Sequence, residues 1–272
     1  MAKPKKGSVK IIGKRAKIAK AKTVAKEASN KEKANKEKAI KTGTIKPKKK
    51  KKKDGLKIRV KSSKGRKISS TLWLQRQLND PYVIKARTQG YRSRAAFKLV
   101  ELNDKYQLLK PKMRVVDLGC APGGWLQVAS KAVQSSHKNP AIVGIDYLEM
   151  GAIAGTIILQ KDFNDEDAPQ MLIDALGGHK ADIVLSDMAA PTTGHRPTDH
   201  IRIIALVEMA ALFAVDILAP GGTFVAKVFQ GGTEHQLLNE LKKNFETTFH
   251  AKPPASRKDS AETYLIARGF KG

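Results

Sequence analysis

Residues 113–125, MRVVDLGCAPGGW, decide the fold. They begin with a short apolar run, which predicts a buried β-strand that ends at Leu118. Gly119, Gly123 and Gly124 follow, and glycines let a ligand approach the backbone closely. A helix is expected from Gly124, so the stretch has the strand–loop–helix order of a ligand-binding α/β unit.

Strand and helix signals alternate after this loop. Apolar runs at 141–145, 181–185 and 223–229 predict strands, and helical periodicity is expected across 201–218 and 234–245. Alternating elements of this kind predict a mostly parallel sheet with helices on both faces. The predicted fold class is therefore α/β, and 272 residues suffice for one such domain with an appendage or for two small domains.

Charge divides the chain. Residues 1–68 hold 28 Lys and Arg against 4 Asp and Glu, so the remaining residues are close to neutral. Residues 1–55 offer few side chains to bury, and we expect a disordered tail there, a basic linker at 56–68 and a globular domain at 69–272. The lysines at 48–53 favour RNA phosphates as the partner of the tail, with a mere solubility tail as the alternative.

The composition argues against several classes of protein. One cysteine permits no intramolecular disulfide and no cysteine-rich zinc site, which fits a reducing compartment. No run of roughly 18 apolar residues is present, so we expect no membrane contact. The N-terminus lacks the apolar region of a secretory signal. We therefore expect a cytoplasmic protein.

Polar residues stand at the ends of the expected strands. Asp117, Asp146, Asp187 and Lys227 lie at or near the carboxyl ends of apolar runs, and these ends meet at the edge of a sheet where ligands bind. Asp146 is placed to bind ribose hydroxyls, while the glycine-rich loop lacks the spacing and the Lys-Ser/Thr pair of phosphate-binding loops. This combination predicts an adenosine ligand without pyrophosphate, such as S-adenosyl-L-methionine; an ordinary tight turn is the alternative.

Five motifs occur in order from residue 92 onward. They are RSRAAFKL at 92–99, VDLGCAPGGW at 116–125, SDM at 186–188, VAKVFQG at 225–231, and SR at 256–257 with ETY at 262–264. From about residue 70 to the C-terminus, the sequence strongly resembles the FtsJ/RrmJ family of ribosomal RNA 2′-O-methyltransferases. The resemblance implies a Rossmann-like methyltransferase fold of about seven strands with an antiparallel last hairpin. It also implies S-adenosyl-L-methionine as cofactor and no metal.

The resemblance also assigns site residues. It places the catalytic Lys-Asp-Lys-Glu tetrad of the family on Lys98, Asp187, Lys227 and Glu262. It places the cofactor contacts on Gly123, Trp125, Asp146 and Asp162, with Asp187 beside the sulfonium.

The chemistry explains why these residue types are needed. A ribose 2′-hydroxyl is a weak nucleophile, so a base helps it to attack the methyl group. Lys227 is the candidate base, because it interrupts apolar residues where a solvated charge is unexpected. Lys98 would supply a second cation that favours the neutral amine of Lys227, and Asp187 and Glu262 would orient both ammonium groups. An ordinary surface position is the alternative for Lys98 and for Glu262.

The main functional prediction follows from the resemblance. It is methylation of a uridine 2′-hydroxyl in 23S rRNA of the large ribosomal subunit by a monomeric enzyme. One alternative keeps the chemistry and changes the substrate to tRNA or an mRNA cap. A second is a non-catalytic ribosome-assembly factor, against which an intact tetrad argues. A third is a nucleic-acid-binding module that acts through the tail alone.

Overall fold

The computed structural model describes residues 68–190, 193–229 and 235–272, together with Gly65. The predicted basic tail and nearly all of the predicted linker lie outside the described residues. Within the described ranges, no helix is both long and apolar enough to cross a membrane.

Helices and strands alternate through the described residues. The helices are α1 (Ile68–Leu78), α2 (Pro81–Thr88), α3 (Ala96–Tyr106), α4 (Gly124–Val133), α5 (Ala168–Ala175), α6 (Arg196–Ile217) and α7 (His235–Asn244). The strands are β1 (Val115–Leu118), β2 (Ile142–Asp146), β3 (Thr156–Gln160), β4 (Ala181–Ser186), β5 (Leu218–Phe229), β6 (Phe245–Ala251) and β7 (Glu262–Phe270).

The described strands form one seven-stranded sheet in the order β3-β2-β1-β4-β5-β7-β6. Strands β1 to β5 pair in parallel, whereas β7 runs antiparallel to both β5 and β6. The chain moves outward from β1 to β3 and then crosses back to β4. This reversal opens a crevice beyond the carboxyl ends of β1 and β4, where open α/β sheets bind ligands. The predicted Rossmann-like methyltransferase fold, including its antiparallel last hairpin, is confirmed.

Both faces of the sheet are covered, which explains why the central strands read as continuous apolar runs. Neighbouring residues of β1 belong to different core clusters, Val116 with α6 on one face and Val115 with α3 and α4 on the other. All four residues of β1 are buried. The polar residues that follow β1, β2 and β4 therefore emerge from a rigid, fully packed centre.

Some boundaries differ from the expectations. The sequence signals did not single out β3, a five-residue edge strand whose residues are mostly half-buried. Strand β5 begins at Leu218 and not at Thr223, because the Pro-Gly-Gly segment 220–222 interrupts the ladder without ending it. The register with β4 shifts at that point, between Ala181 and Ile183.

Candidate active site

A cavity of about 620 Å³ opens beyond the carboxyl ends of the central strands. Three of the predicted cofactor contacts line it: Asp146 at the end of β2, Asp162 after β3 and Asp187 after β4. Gly119 and Ala121 of the glycine-rich loop form part of the same wall. The structure therefore brings together carboxylates that lie far apart in the sequence.

Asp146 also holds the glycine-rich loop in place. Its Oδ2 atom accepts a hydrogen bond from the Ala121 backbone N–H at 2.9 Å, and its Oδ1 atom accepts one from the Leu148 N–H at 2.9 Å. Each carboxylate oxygen can accept more than one hydrogen bond, so Asp146 can still bind ligand hydroxyls. Apolar side chains complete the cavity walls: Ile145, Leu148, Phe163, Met188, Leu206 and Met209. Apolar walls and strand-end carboxylates fit an adenosine group.

Gly123 lies outside the lining of this cavity. It precedes α4 with a φ of 105°, a conformation that favours glycine. A Cβ atom at this position would lie 2.5 Å from Ile153 Cδ1 and 2.7 Å from Met150 Cε. The glycine therefore allows the loop to pack closely on residues 150–153, and its contact with the cofactor stays a prediction.

Trp125 also lies outside the cavity lining, and its side chain is only 3% exposed. The indole Nε1–H donates to the Ala95 carbonyl at 2.9 Å, and the ring packs against the ring of Tyr264 with 5.6 Å between centroids. Because the indole makes these contacts, the Trp125 side chain packs against Tyr264 and stabilises the position of that ring. The predicted cofactor contact of Trp125 stays a prediction.

The four predicted tetrad residues form one connected network. Lys98 Nζ lies 2.7 Å from Glu262 Oε2 and 3.8 Å from Asp187 Oδ1. Lys227 Nζ lies 3.2 Å from the same Asp187 oxygen. Two cations and two anions give a cluster close to neutral.

Sheet pairing explains how the network is assembled. Lys227 on β5 stands directly opposite Tyr264 on β7. Glu262 lies two residues before Tyr264, and residues two apart in a strand share a face. Lys98 reaches this face from α3, and Asp187 arrives from the end of β4. Four separate elements thus converge on one face of the sheet.

Burial shows that neither lysine is an ordinary surface charge. Lys227 is 8% exposed and Lys98 is 7% exposed, and lysines are almost never this buried unless they are paired. Lys227 Nζ also donates to the backbone carbonyl of Asp187 at 2.5 Å. The surface alternatives for Lys98 and for Glu262, which is half-buried, are therefore wrong.

Tyr264 and Ser256 complete the network, and sequence reasoning missed both roles. The hydroxyl of Tyr264, a completely buried residue, donates to Asp187 Oδ1 at 2.8 Å. Ser256 Oγ donates to Glu262 Oε1 at 2.7 Å. Both residues stand in the fifth motif, which was the available signal. A sequence does not distinguish a tyrosine that only packs from one that also donates a hydrogen bond.

The network keeps Asp187 ionised. Burial alone would raise the pKa of Asp187, but Lys227 and then Lys98, together with the hydrogen bond from Tyr264, lower that pKa below its ordinary value. The pKa of the Tyr264 phenol is raised, first by burial and then by the charges of Asp187 and Glu262. Tyr264 therefore stays protonated and can donate to Asp187 at neutral pH.

Asp117 is a buried carboxyl that the network does not use. It is completely buried on β1, and neither side-chain oxygen has a hydrogen-bond partner among the described residues. Burial first, and then the charges of Asp187 and Asp146, raise the pKa of Asp117 well above its ordinary value. A cationic ligand in the adjacent crevice would stabilise this carboxylate, which fits a ligand that carries a sulfonium and an amino group.

Asp117→Asn should make the cofactor-free protein more stable at neutral pH. A carboxyl whose pKa is raised by folding contributes a stability that is present below its unfolded pKa, about 3.9, and is lost as the pH rises toward the folded value. The asparagine side chain does not ionise, so the variant does not lose this stability as the pH rises. Its melting temperature should exceed that of the wild type at pH 7 by roughly 2–4 °C per kcal/mol relieved, with the gap closing toward pH 4. A gap that does not change with pH would contradict the assignment.

Comparison with known proteins identifies the family. The model of the FtsJ-like methyltransferase family matches residues 91–270. The chain belongs to this family. Among its relatives, a protein of Paramagnetospirillum magneticum named ribosomal RNA large subunit methyltransferase E is 62% identical over 219 residues, which cover 80% of this chain and 89% of the relative. A protein of the same name from Mesorhizobium japonicum is 60% identical over 217 residues, covering 80% of this chain and 82% of the relative.

A solved structure supports the same assignment. A protein of Plasmodium falciparum named as a ribosomal RNA methyltransferase is 33% identical and superimposes with a TM-score of 0.59. The match covers 67% of this chain and 100% of that one. This FtsJ-like protein is therefore a methyltransferase, and S-adenosylmethionine is its methyl donor. The cavity lined by Asp146, Asp162 and Asp187 fits that cofactor.

Asp146→Ala should weaken the binding of S-adenosylmethionine. The two ribose hydroxyls would lose a charged acceptor, and the glycine-rich loop would lose the bond at Ala121. The expected loss is about 1–3 kcal/mol, measured by titration calorimetry. Glu166→Ala, at an exposed carboxylate that does not line the cavity, is the matched control and should bind as the wild type does. Equal affinities for the two variants would remove Asp146 from the cofactor site.

Proposed function

We propose that this FtsJ-like methyltransferase methylates the 2′-hydroxyl of a uridine in 23S rRNA of the large ribosomal subunit. The names of its relatives at 62% and 60% identity support the substrate class. The observation that carries the chemistry is the buried network of Lys98, Asp187, Lys227 and Glu262. Asp187 belongs both to this network and to the cavity, which supports a position of the proposed base close to a cofactor bound there.

The tetrad prepares the ribose hydroxyl for attack. Lys227 Nζ, in its neutral form, accepts the 2′-hydroxyl proton as the 2′-oxygen forms its bond to the methyl carbon. S-adenosylmethionine, when bound, would supply an electrophilic methyl group, and its sulfur would keep the electron pair of the broken bond. Lys98 is a second cation beside the same Asp187 oxygen, at 3.8 Å against 3.2 Å for Lys227. Asp187 is held by the hydroxyl of Tyr264 and in turn fixes the position of Lys227. A catalytic group that is already oriented toward the reacting atoms lowers the entropic cost of the reaction.

One chain supplies the whole network, which supports a monomer as the active form. Lys98, Asp187, Lys227 and Glu262 come from four elements of the same chain. A substrate in the ribosome would place the enzyme in the cytoplasm.

The direct test is methyl transfer to a panel of RNA substrates. Purified protein and isotope-labelled S-adenosylmethionine are mixed with large ribosomal subunits, small subunits, tRNA or capped mRNA. We expect label in large subunits alone. The labelled linkage should resist alkaline cleavage, because a 2′-O-methyl group removes the nucleophile for that cleavage. Label in tRNA or in the cap would replace the proposed substrate. Tight binding to large subunits with no transfer would favour an assembly factor.

Removal of residues 1–55 tests the proposed division of the chain. This segment carries 22 Lys and Arg against four acidic residues. Each cation that neutralises a phosphate steepens the dependence of binding on salt, by roughly 0.9 in the log–log slope for a duplex and 0.7 for a single strand. The truncated enzyme should bind rRNA more weakly and with a shallower slope, while its turnover at saturating substrate is preserved. Loss of turnover at saturation would make the tail part of the catalytic machinery.

A further inference from the structure

Helix α1 presents two large apolar side chains to solvent beside the active site. Trp73 is 55% exposed and Leu72 is 54% exposed. In the part of the chain that the structure describes, no other aromatic ring is stacked on Trp73. A tryptophan in this state carries a large apolar surface that nothing in the described fold covers, so it is available to a ligand.

A charged cavity connects this helix to the tetrad. Its volume is about 270 Å³, and Arg76, Arg94, Arg257 and Glu262 contribute to its lining, with Asp259 and Ser260. Glu262 is the tetrad carboxylate that binds Lys98. Arg76 follows Trp73 by three residues, so the two side chains are neighbours on the surface of α1. The cavity therefore extends from Glu262 of the tetrad to Arg76 on α1, the helix that also carries the exposed indole.

The arginines differ in how firmly they are held. Arg94 Nε lies 3.0 Å from Asp80 Oδ2, and Arg257 Nη2 lies 3.3 Å from the same oxygen. Arg94 and Arg257 thus share one carboxylate, that of Asp80, whereas no ion pair to Arg76 is seen among the described residues. Arg76 is exposed and can reach toward an anion beside Trp73. An exposed aromatic ring with adjacent arginines fits a single-stranded nucleotide, whose base can stack on the ring while its phosphate pairs with an arginine.

We propose that Trp73 and Arg76 bind a nucleotide that flanks the methylated one, with the base stacked on the indole of Trp73 and the phosphate on Arg76. This inference rests on the proposed RNA substrate. It adds a substrate-binding element, helix α1, that lies outside the tetrad and outside the cofactor cavity. Holding the flanking nucleotide would fix the register of the RNA, so that one ribose reaches Lys227.

The chain offers a direct optical probe of this contact. It contains two tryptophans, Trp73 and Trp125, and Trp125 is only 3% exposed. A base stacked on Trp73 quenches its fluorescence. A short single-stranded RNA that contains the target uridine should therefore quench the emission of the full-length protein, and the Trp73→Phe variant should lose that quenching. Unchanged quenching in Trp73→Phe would contradict the proposal.

Kinetics on large subunits give the second readout. Trp73→Ala should raise KM for the subunits by roughly thirtyfold, the middle of the range for loss of one stacked base, with kcat within about twofold. Trp73→Phe should recover most of the affinity, because phenylalanine also stacks. Arg76→Ala should raise KM and reduce its salt dependence. Leu212→Ala, at a 70% exposed position on α6, is the control and should change neither constant.

The two proposals fail in different ways. If the wild type methylates large subunits and Trp73→Ala keeps the wild-type KM, helix α1 does not bind the substrate and the proposed function stands. If the wild type shows no transfer to any ribosomal RNA, the proposed function fails, whatever the fluorescence shows. Quenching by RNA that also occurs in the Lys227→Ala protein supports the contact independently of the methyl-transfer step.

Discussion

Lys227→Ala should lower the rate of methyl transfer by roughly 10²–10⁴-fold, the usual contribution of a positioned acid–base group. The variant removes the proton acceptor from a buried position where Asp187 supplies two contacts, one from its side chain and one from its backbone carbonyl. Binding of S-adenosylmethionine should change little, because Lys227 does not line the cofactor cavity. Single-turnover methylation of large subunits measures the rate, and calorimetry measures cofactor binding.

Lys227→Arg separates a base from a fixed positive charge. A guanidinium stays protonated near neutral pH, so the arginine variant should fail almost as completely as the alanine variant. Lys243→Arg, at an exposed lysine on α7, is the matched control and should keep full activity. If Lys227→Arg retained the rate and the pH profile of the wild type, the base role would be wrong and Lys227 would act only by its charge.

Asp187→Asn should be at least as damaging, with a rate loss of roughly 10²–10⁴-fold. The carboxylate of Asp187 is shared by Lys98 and Lys227 and accepts the hydrogen bond from Tyr264. Its neutralisation leaves two buried ammonium groups that repel each other. The free energy of unfolding should also fall, since breaking a buried ion pair costs about 3–5 kcal/mol.

The control for this variant is Asp216→Asn, at an exposed carboxylate on α6. It makes the same chemical change outside the network and should alter neither rate nor stability. Activity and melting temperature are measured on both proteins. An Asp187→Asn enzyme within about threefold of the wild-type rate, while folded, would show that the network does not act as a unit.

The fold was largely predictable because its central strands are buried on both faces. Such strands leave uninterrupted apolar runs in the sequence, as at 181–185. Edge elements carry a weaker signal, since one side faces solvent, and β3 was missed for that reason. The early start of β5 could not be predicted, because Pro220 and the two glycines that follow are ordinary signals for a break.

The site was predictable where a residue type contradicts its surroundings. Lys227 interrupts an apolar strand, and the family resemblance supplied its partners. Tyr264 gave no such contradiction, because tyrosine is common in β-strands. Its hydrogen bond to Asp187 depends on the register of the sheet, which the sequence does not show. The missing partner of Asp117 also depends on three-dimensional packing, which the sequence does not show. The cofactor contacts of Gly123 and Trp125 stay predictions, because neither residue lines the cavity.

We propose that this enzyme places a 2′-O-methyl group on a uridine of 23S rRNA through its lysine tetrad. Mass mapping of rRNA from cells with and without the gene tests that claim most directly. We expect one 2′-O-methyluridine in 23S rRNA to disappear when the gene is deleted, to return with the wild-type gene and not to return with Lys227→Ala. An identical set of 23S rRNA modifications in the two strains would contradict it.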